Sequence, residues 1–144
     1  MALPKTLALG LAALFALPGA APLSEIDISV DHLRSDKGLL QLCLTAHERS
    51  FPGCEDDPAA RRMTVRAKDA VARFENLPAG QYALAIVHDE NGNNKLDTFA
   101  GIPKEGIGFS RNPSFSFGPP RFSQVVFVAQ GAGTSQRVKI KYYL

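Results

Sequence analysis

The sequence has no tryptophan, only two cysteines and no long run of charge of one sign. Its 16 Lys+Arg residues nearly balance its 14 Asp+Glu residues, which leaves a formal net charge of +2 over 144 residues. Nucleic acids and anionic membrane surfaces attract proteins through concentrated basic patches, and the sequence has no such patch. Nucleic acid is therefore excluded as the main partner.

Sequence signatures of hydrolases are absent as well. The chain contains neither a Gly-x-Ser-x-Gly nucleophile elbow nor an HExxH zinc motif. His88 precedes Asp89, and Glu105 follows further along, but neighbouring side chains on a strand point to opposite faces. We therefore expect a non-enzymatic module and no catalytic residue. A cell-envelope hydrolase using Glu105 or Asp89 near His88 is the alternative.

Residues 1–21 have the composition of a secretory signal peptide. Lys5 precedes an apolar stretch at Leu7–Leu17, and the small residues Ala20 and Ala21 end the segment. The apolar stretch covers 11 residues, whereas a bilayer-spanning helix needs about 20. We expect cleavage after Ala20 or Ala21, no membrane span after that cleavage, and a periplasmic or secreted mature protein.

The remaining residues, 22–144, have the size of one domain. Short segments with apolar residues at every second position predict strands that have one face in a core. Such alternation and short apolar runs, of which the nearly all-apolar Tyr82–Val87 is typical of a central strand, predict seven strands: Ile26–Val30, Leu40–Leu44, Met63–Ala67, Val71–Phe74, Tyr82–Val87, Val125–Val128 and Val138–Tyr142. Because no amphipathic helix separates them, we predict an all-β fold: a seven-stranded antiparallel β-sandwich, immunoglobulin-like or transthyretin-like, with one long loop. A small closed barrel is the structural alternative.

Two hairpins are predicted within this set of strands. Turn-forming residues at 35–38 separate the first two segments, and Lys68 and Asp69 separate the third from the fourth. Short connections of this kind usually join strands that pair with each other.

Cys43 and Cys54 lie 11 positions apart in a chain that we expect to reach an oxidising compartment. We predict a disulfide between them, which would stabilise the fold by roughly 2 to 3 kcal/mol. The sequence has no CxxC motif, and this spacing is not that of a zinc-ligand pair.

The interval from His88 to about Phe122 has no clear strand and is rich in Gly, Pro, Asn and Phe. Loops of this length inside a domain are usually functional or metal-stabilised. Oxygen ligands at alternate positions match positions 1, 3, 5, 7 and 9 of a calcium loop: Asp89, Asn91, Asn93, Lys95 through its carbonyl, and Asp97. The spacing therefore predicts a bound Ca²⁺.

Two positions depart from that calcium loop. Asn94 stands where the loop has Gly, and Ala100 stands where it has a bidentate Glu. We expect weak calcium binding unless Glu105 or Glu90 folds back to supply a carboxylate. The alternative is that these Asp and Asn residues only build turns.

Five phenylalanines fall in the same interval: Phe99, Phe109, Phe115, Phe117 and Phe122. They form either a binding surface for an unknown protein or cell-envelope ligand, or a satellite core that packs the loop onto the domain. We favour the satellite core, because apolar residues of long loops usually cluster against the main fold.

The order of these motifs resembles a known family. The segment Phe74–Leu84, with the sequence FENLPAGQYAL, precedes the loop residues 88–97, the GIPKE segment at 101–105 and the GFS segment at 108–110. This combination is similar to exported bacterial proteins of domain-of-unknown-function family 2141, from about Ile26 to the end of the chain. The resemblance implies export and a β-sandwich fold, and it implies no particular activity or catalytic residue.

Overall fold

The computed structural model describes residues 19–144, so the predicted signal peptide lies almost wholly outside the described residues. The fold is all-β, as predicted, but residues 19–144 contain ten strands rather than seven, with one short α-helix and two 3-10 turns at Glu48–Ser50 and Ala67–Asp69. The strands and the α-helix are β1 (Leu23–Asp31), β2 (Leu39–Thr45), β3 (Arg61–Arg66), β4 (Val71–Pro78), β5 (Gly80–Asp89), β6 (Thr98–Phe99), β7 (Ile102–Pro103), β8 (Gly106–Phe109), α1 (Phe122–Val125), β9 (Phe127–Ala129) and β10 (Thr134–Lys139). Among residues 19–144, no helix has the length and apolar composition needed to cross a bilayer.

The strands form two main sheets. The first sheet has the order β10-β1-β4, and the second has the order β3-β2-β5-β8, with β9 also pairing with β5. The short strands β6 and β7 pair only with each other. Strand β10 runs parallel to β1, whereas every other pairing is antiparallel. The prediction of a purely antiparallel fold was therefore wrong at this edge of the first sheet.

The main core lies between the two sheets and follows the alternation read from the sequence. The first sheet contributes Ile26, Ile28, Val30, Phe74 and Val138, and the second contributes Leu40, Leu42, Leu44, Leu84 and Ile86. All of these side chains are buried. Burial of one such side chain contributes about 1.5 to 3 kcal/mol, so this apolar layer is the main force that holds the sheets together.

Both predicted hairpins were wrong. Strand β1 pairs with β4 and β10, and β2 pairs with β3 and β5, so residues 35–38 carry the chain from one sheet to the other. A 3-10 turn at Ala67–Asp69, followed by Ala70 at φ 52°, makes the same crossing between β3 and β4. Period-two alternation specifies which face of a strand is buried, and it does not specify which strand lies beside it.

The interval after β5 contains strands that the sequence did not predict. Strand β8 pairs with β5 although it begins Gly106-Ile107-Gly108. A Cβ atom at Gly106 would lie 2.3 Å from Ile140, and one at Gly108 would lie 2.7 Å from Val138, so only glycine fits against the C-terminal strand. Glycine is unusual in strands, and here its small size permits close packing.

Two further segments differ from the prediction near the C-terminus. Val125 lies in α1, and the strand that follows begins at Phe127. The last strand is Thr134–Lys139, four residues earlier than the predicted start at Val138. Beyond it, Ile140 donates a backbone hydrogen bond to Asp31 of β1, and Lys141 forms an isolated bridge with Ile107 of β8.

A second apolar cluster covers part of the outer face of the second sheet. The predicted disulfide between Cys43 and Cys54 is present there, with 5.8 Å between the Cα atoms. Phe109, Phe115 and Phe122 pack in this cluster, as the satellite-core interpretation predicted. The structure divides the five phenylalanines, because Phe99 and Phe117 remain exposed.

Candidate functional site

Asp89 anchors the loop that follows β5. It is the last residue of that strand, and its side chain is fully buried. Its Oδ1 accepts the backbone N–H of Asn93 at 3.2 Å, and its Oδ2 accepts the backbone N–H of Asn94 at 2.7 Å. Asn94 has a φ of 60°, a left-handed conformation that asparagine tolerates. The carboxylate therefore organises the tight turn that the sequence predicted.

Asp97 gathers the other predicted loop residues around its carboxylate. Asn91 Nδ2 donates to it at 2.7 Å, and Asn93 Nδ2 donates at 3.0 Å. These two hydrogen bonds lower the pKa of Asp97. The remaining amide oxygens of Asn91 and Asn93 accept the backbone N–H groups of Asn93 and Lys95. The turn-building role of these residues is thus present in the structure.

Glu105 folds back onto this loop from the position just before β8. Its side chain is only 4% exposed, and its Oε2 accepts the backbone N–H of Asp97 at 3.2 Å. Its Oε1 is buried and has no hydrogen-bond partner. Burial raises the pKa of Glu105, and the charges of Asp89 and Asp97 raise it further. A buried oxygen without a partner is rare and lowers the stability of the fold. A hydrogen-bond donor or a cation at this position would remove that cost.

The loop contains ligand types that a hard cation prefers, but in this structure they are not arranged as a cage. The carboxylates of Asp89, Asp97 and Glu105 lie in one part of the loop with the side-chain amides of Asn91 and Asn93, whose nitrogens face Asp97. Calcium prefers oxygen ligands of this kind. Within residues 19–144, no three His, Cys, Asp or Glu side chains already stand at coordinating distance from one another. An ion would therefore require rotation of the two asparagine amides, which now donate to Asp97.

The other residues singled out at this loop have different roles. Ala100, at φ 50°, lies in the turn between β6 and β7. Lys95 donates its backbone N–H to Asn93. Glu90 turns away from the loop and bonds to Ser35 and Arg34. Of the two glutamates that could have folded back, only Glu105 does so.

Arg34 forms hydrogen bonds with residues at both ends of the loop. Its Nε donates to Glu90 Oε2 at 2.9 Å, and its Nη2 donates to the carbonyl of Lys104 at 3.0 Å. Its guanidinium also lies 4.4 Å from the centre of the Tyr142 ring. The Arg34 hydrogen bond lowers the pKa of Glu90. Arg34 therefore fixes the residue before Glu105 relative to the end of β5.

His88 does not approach the loop carboxylates through its ring. The ring is fully buried, with Nε2 at 2.8 Å from the carbonyl of Lys37 and Nδ1 at 2.6 Å from the hydroxyl of Tyr142. Both ring nitrogens are thus occupied by structural hydrogen bonds. The hydrolase alternative needed His88 beside Glu105 or Asp89, and the structure does not bring this set together.

A groove of about 710 Å³ lies next to the loop on the outer face of the second sheet. Outward-facing residues of β2, β3, β5 and β8 form its floor, and the β6–β7 hairpin and residues 116–119 form its walls. The volume is within the usual range of small-molecule sites. The sequence did not predict the groove, because its walls come from segments that local patterning shows only as loops.

Comparison with known families confirms the resemblance seen in the sequence. The family model described as "Uncharacterized protein conserved in bacteria (DUF2141)" matches residues 28–137. The chain belongs to this family. The match extends from β1 to β10 and includes the loop and the groove-lining residues other than Tyr143. No curated protein and no solved structure matches the chain.

Proposed function

We propose that this DUF2141 chain is an exported, non-enzymatic β-sandwich module whose loop 89–105 binds one calcium ion. The ion holds the loop in shape, and the loop with its adjoining groove presents a surface to a protein or cell-envelope ligand. The buried Oε1 of Glu105, which has no hydrogen-bond partner, is the observation that supports this proposal most strongly.

The electrostatics of Glu105 favour a cation at this place. Its carboxylate is buried next to the carboxylates of Asp89 and Asp97, which disfavour its ionisation. Without a cation, a proton on Glu105 would reduce the repulsion among the three carboxylates. Calcium would replace that proton, offset two of the three negative charges of the ionised acids and use the oxygen ligands that the loop provides. The Glu105 carboxylate supplies the strong ligand that is missing at Ala100.

Export is supported by three independent features. The N-terminal segment has signal-peptide composition, the Cys43–Cys54 disulfide suits an oxidising compartment, and the family resemblance implies export. Extracellular calcium modules bind their ion with dissociation constants of about 10⁻⁴ to 10⁻³ M. We expect an affinity in that range, because the loop has few carboxylates and an incomplete cage.

Isothermal titration of the metal-free protein with CaCl₂ tests the proposal. The wild type should bind one calcium ion, and magnesium should bind more weakly because it requires near-ideal octahedral geometry. Asp97→Asn should abolish the binding heat. Asp56→Asn is the matched control, because Asp56 is exposed and lies away from the loop. Its neighbour Asp57 accepts a hydrogen bond from Thr45, which is at the end of β2 opposite to the loop. Saturable calcium binding that Asp97→Asn leaves unchanged would refute the site.

Arg34→Gln should weaken calcium binding without removing a ligand. The variant loses the guanidinium bonds to Glu90 and Lys104 that hold the two ends of the loop. Loss of such supporting contacts around a metal site costs roughly tenfold in affinity, and we expect a loss of about that size. Arg137→Gln, on an exposed face of β10, is the control for loss of a positive charge. Equal calcium affinities for the two variants would contradict the supporting role of Arg34.

A further inference from the structure

The floor of the groove is longer across the strands than along them. It crosses β3, β2, β5 and β8, and three interstrand spacings amount to about 14 Å. Along each strand it covers two outward positions, or about 7 Å: Arg62 and Thr64, Gln41 and Cys43, Ala85 and Val87, Ile107 and Phe109. A shape of this kind suits a linear molecule better than a compact one.

The walls of the groove expose apolar side chains to water. Phe117 is 97% exposed, Leu96 is 45% exposed and Ile102 is 37% exposed, and all three line the groove. Removal of apolar surface from water stabilises a complex. Clustered exposed apolar residues commonly mark binding sites. The body of the ligand is therefore expected to be apolar.

The polarity of the groove changes from one end to the other. The β3 end carries Arg62, Thr64 and Gln41, and Lys95 is near this end because its neighbour Asn94 bonds to Gln41. In the described part of the chain, neither Arg62 nor Lys95 forms an ion pair with a carboxylate. Glu55 is the one acidic residue in the lining, so positive charge predominates there.

The opposite end, over β8, is apolar. Ile107 and Phe109 form the floor at that end, and Tyr143 lies beside them. A ligand that spans the groove thus meets cations at one end and hydrocarbon at the other. This gradient selects an amphipathic molecule with a single anionic head.

The two strands at the centre of the floor cannot accept an added peptide strand. Strands β2 and β5 form its centre, and each is already paired on both sides. Strand addition requires the free hydrogen-bonding groups of an edge strand. Over these two central strands, recognition must therefore come from side chains.

We infer that the groove binds a linear aliphatic chain with an anionic head group, the head at Arg62 and the tail over Ile107 and Phe109. The inference rests on the proposed function in one respect, because the β6–β7 hairpin that forms one wall belongs to the calcium loop. Free fatty acids and the acyl chains of anionic lipids share this chemistry.

Calorimetric titration with decanoate, decan-1-ol and 1-decanoyl-lysophosphatidylglycerol, each below its aggregation concentration, tests the inference. Val87→Phe fills the floor and should weaken binding at least about tenfold. Val71→Phe makes the same change on an exposed strand position of the other sheet and should leave binding unchanged. Arg62→Gln should weaken decanoate binding about tenfold and leave decan-1-ol binding unchanged, because only the acid forms a charge-assisted hydrogen bond.

The same titrations in calcium and in chelator separate this inference from the proposed function. Preference for decanoate identifies a free acid as the ligand, and preference for the lysolipid identifies a lipid acyl chain. Calcium uptake without binding of any of the three probes would contradict ligand binding in the groove and would support the calcium site. Probe binding without calcium uptake would support ligand binding in the groove and would contradict calcium binding by the loop. Probe binding that Val87→Phe leaves unchanged overturns the proposed location.

Discussion

Glu105→Gln is expected to raise the melting temperature of the protein in chelator and to abolish the further stabilisation by calcium. The substitution replaces a buried carboxylate, whose ionisation is disfavoured by Asp89 and Asp97, with a neutral side chain of nearly the same shape. In the wild type, calcium at 100 times its dissociation constant should add about 2.7 kcal/mol. That gain corresponds to a rise of roughly 10 °C for a domain of this size.

The pH dependence of the stability of the metal-free protein tests the raised pKa of Glu105 independently of calcium. Because the folded-state pKa of Glu105 is raised above its ordinary value, the native state holds a proton in a pH window where the unfolded state has lost it. Stability contributed by that proton is present at lower pH and is lost as the pH rises through the raised pKa. Calcium should reduce this loss, and Glu105→Gln should remove it.

Thermal melts of three proteins in calcium and in chelator measure these effects. Glu75→Gln is the matched control, since Glu75 is exposed on β4 of the other sheet. It should behave like the wild type under both conditions. A Glu105→Gln protein that melts lower than wild type in chelator, or that gains the full calcium stabilisation, would contradict the role assigned to Glu105.

Replacement of Cys43 and Cys54 together by alanine is expected to lower the free energy of unfolding by about 2 to 3 kcal/mol. The disulfide closes a loop between residues separated by 11 positions, and its loss frees that loop in the unfolded state. It also removes two buried side chains from the cluster on the outer face of the second sheet. We expect the melting temperature to fall by roughly 10 °C.

Urea unfolding with and without dithiothreitol checks this expectation. Reductant should lower the wild-type stability to nearly that of the double variant, and it should leave the double variant unchanged. A double variant that unfolds at the wild-type urea midpoint would show that the disulfide does not contribute to stability.

The sequence predicted most strands because their burial is a local property. In β1 and β2, apolar residues at alternate positions face the core in the structure as they do in the pattern. The pairing of β1 with β10 could not be predicted in the same way. Those two strands lie about one hundred residues apart, and their adjacency results from packing of the complete chain. Strand β8 was missed because Gly106 and Gly108 satisfy a packing requirement that local propensity does not show.

The candidate site also combines features that were predictable from local sequence with features that depend on tertiary contacts. The alternate Asp and Asn residues from Asp89 to Asp97 are a local motif, so the tight turn that they build was predictable. Glu105 joins them only because the β6–β7 hairpin reverses the chain and β8 pairs with β5. The groove depends on the same tertiary contacts, since β5 and β8 of its floor are separated in sequence from β2 and β3.

A crystal structure of the mature protein grown in saturating calcium tests the central proposal most directly. We predict one ion at about 2.3 to 2.6 Å from carboxylate oxygens of Asp89, Asp97 and Glu105, with the amides of Asn91 and Asn93 turned so that oxygen faces the ion. An ordered loop in which Glu105 Oε1 contacts only water or a protein donor, with no ion among the three carboxylates, would contradict it.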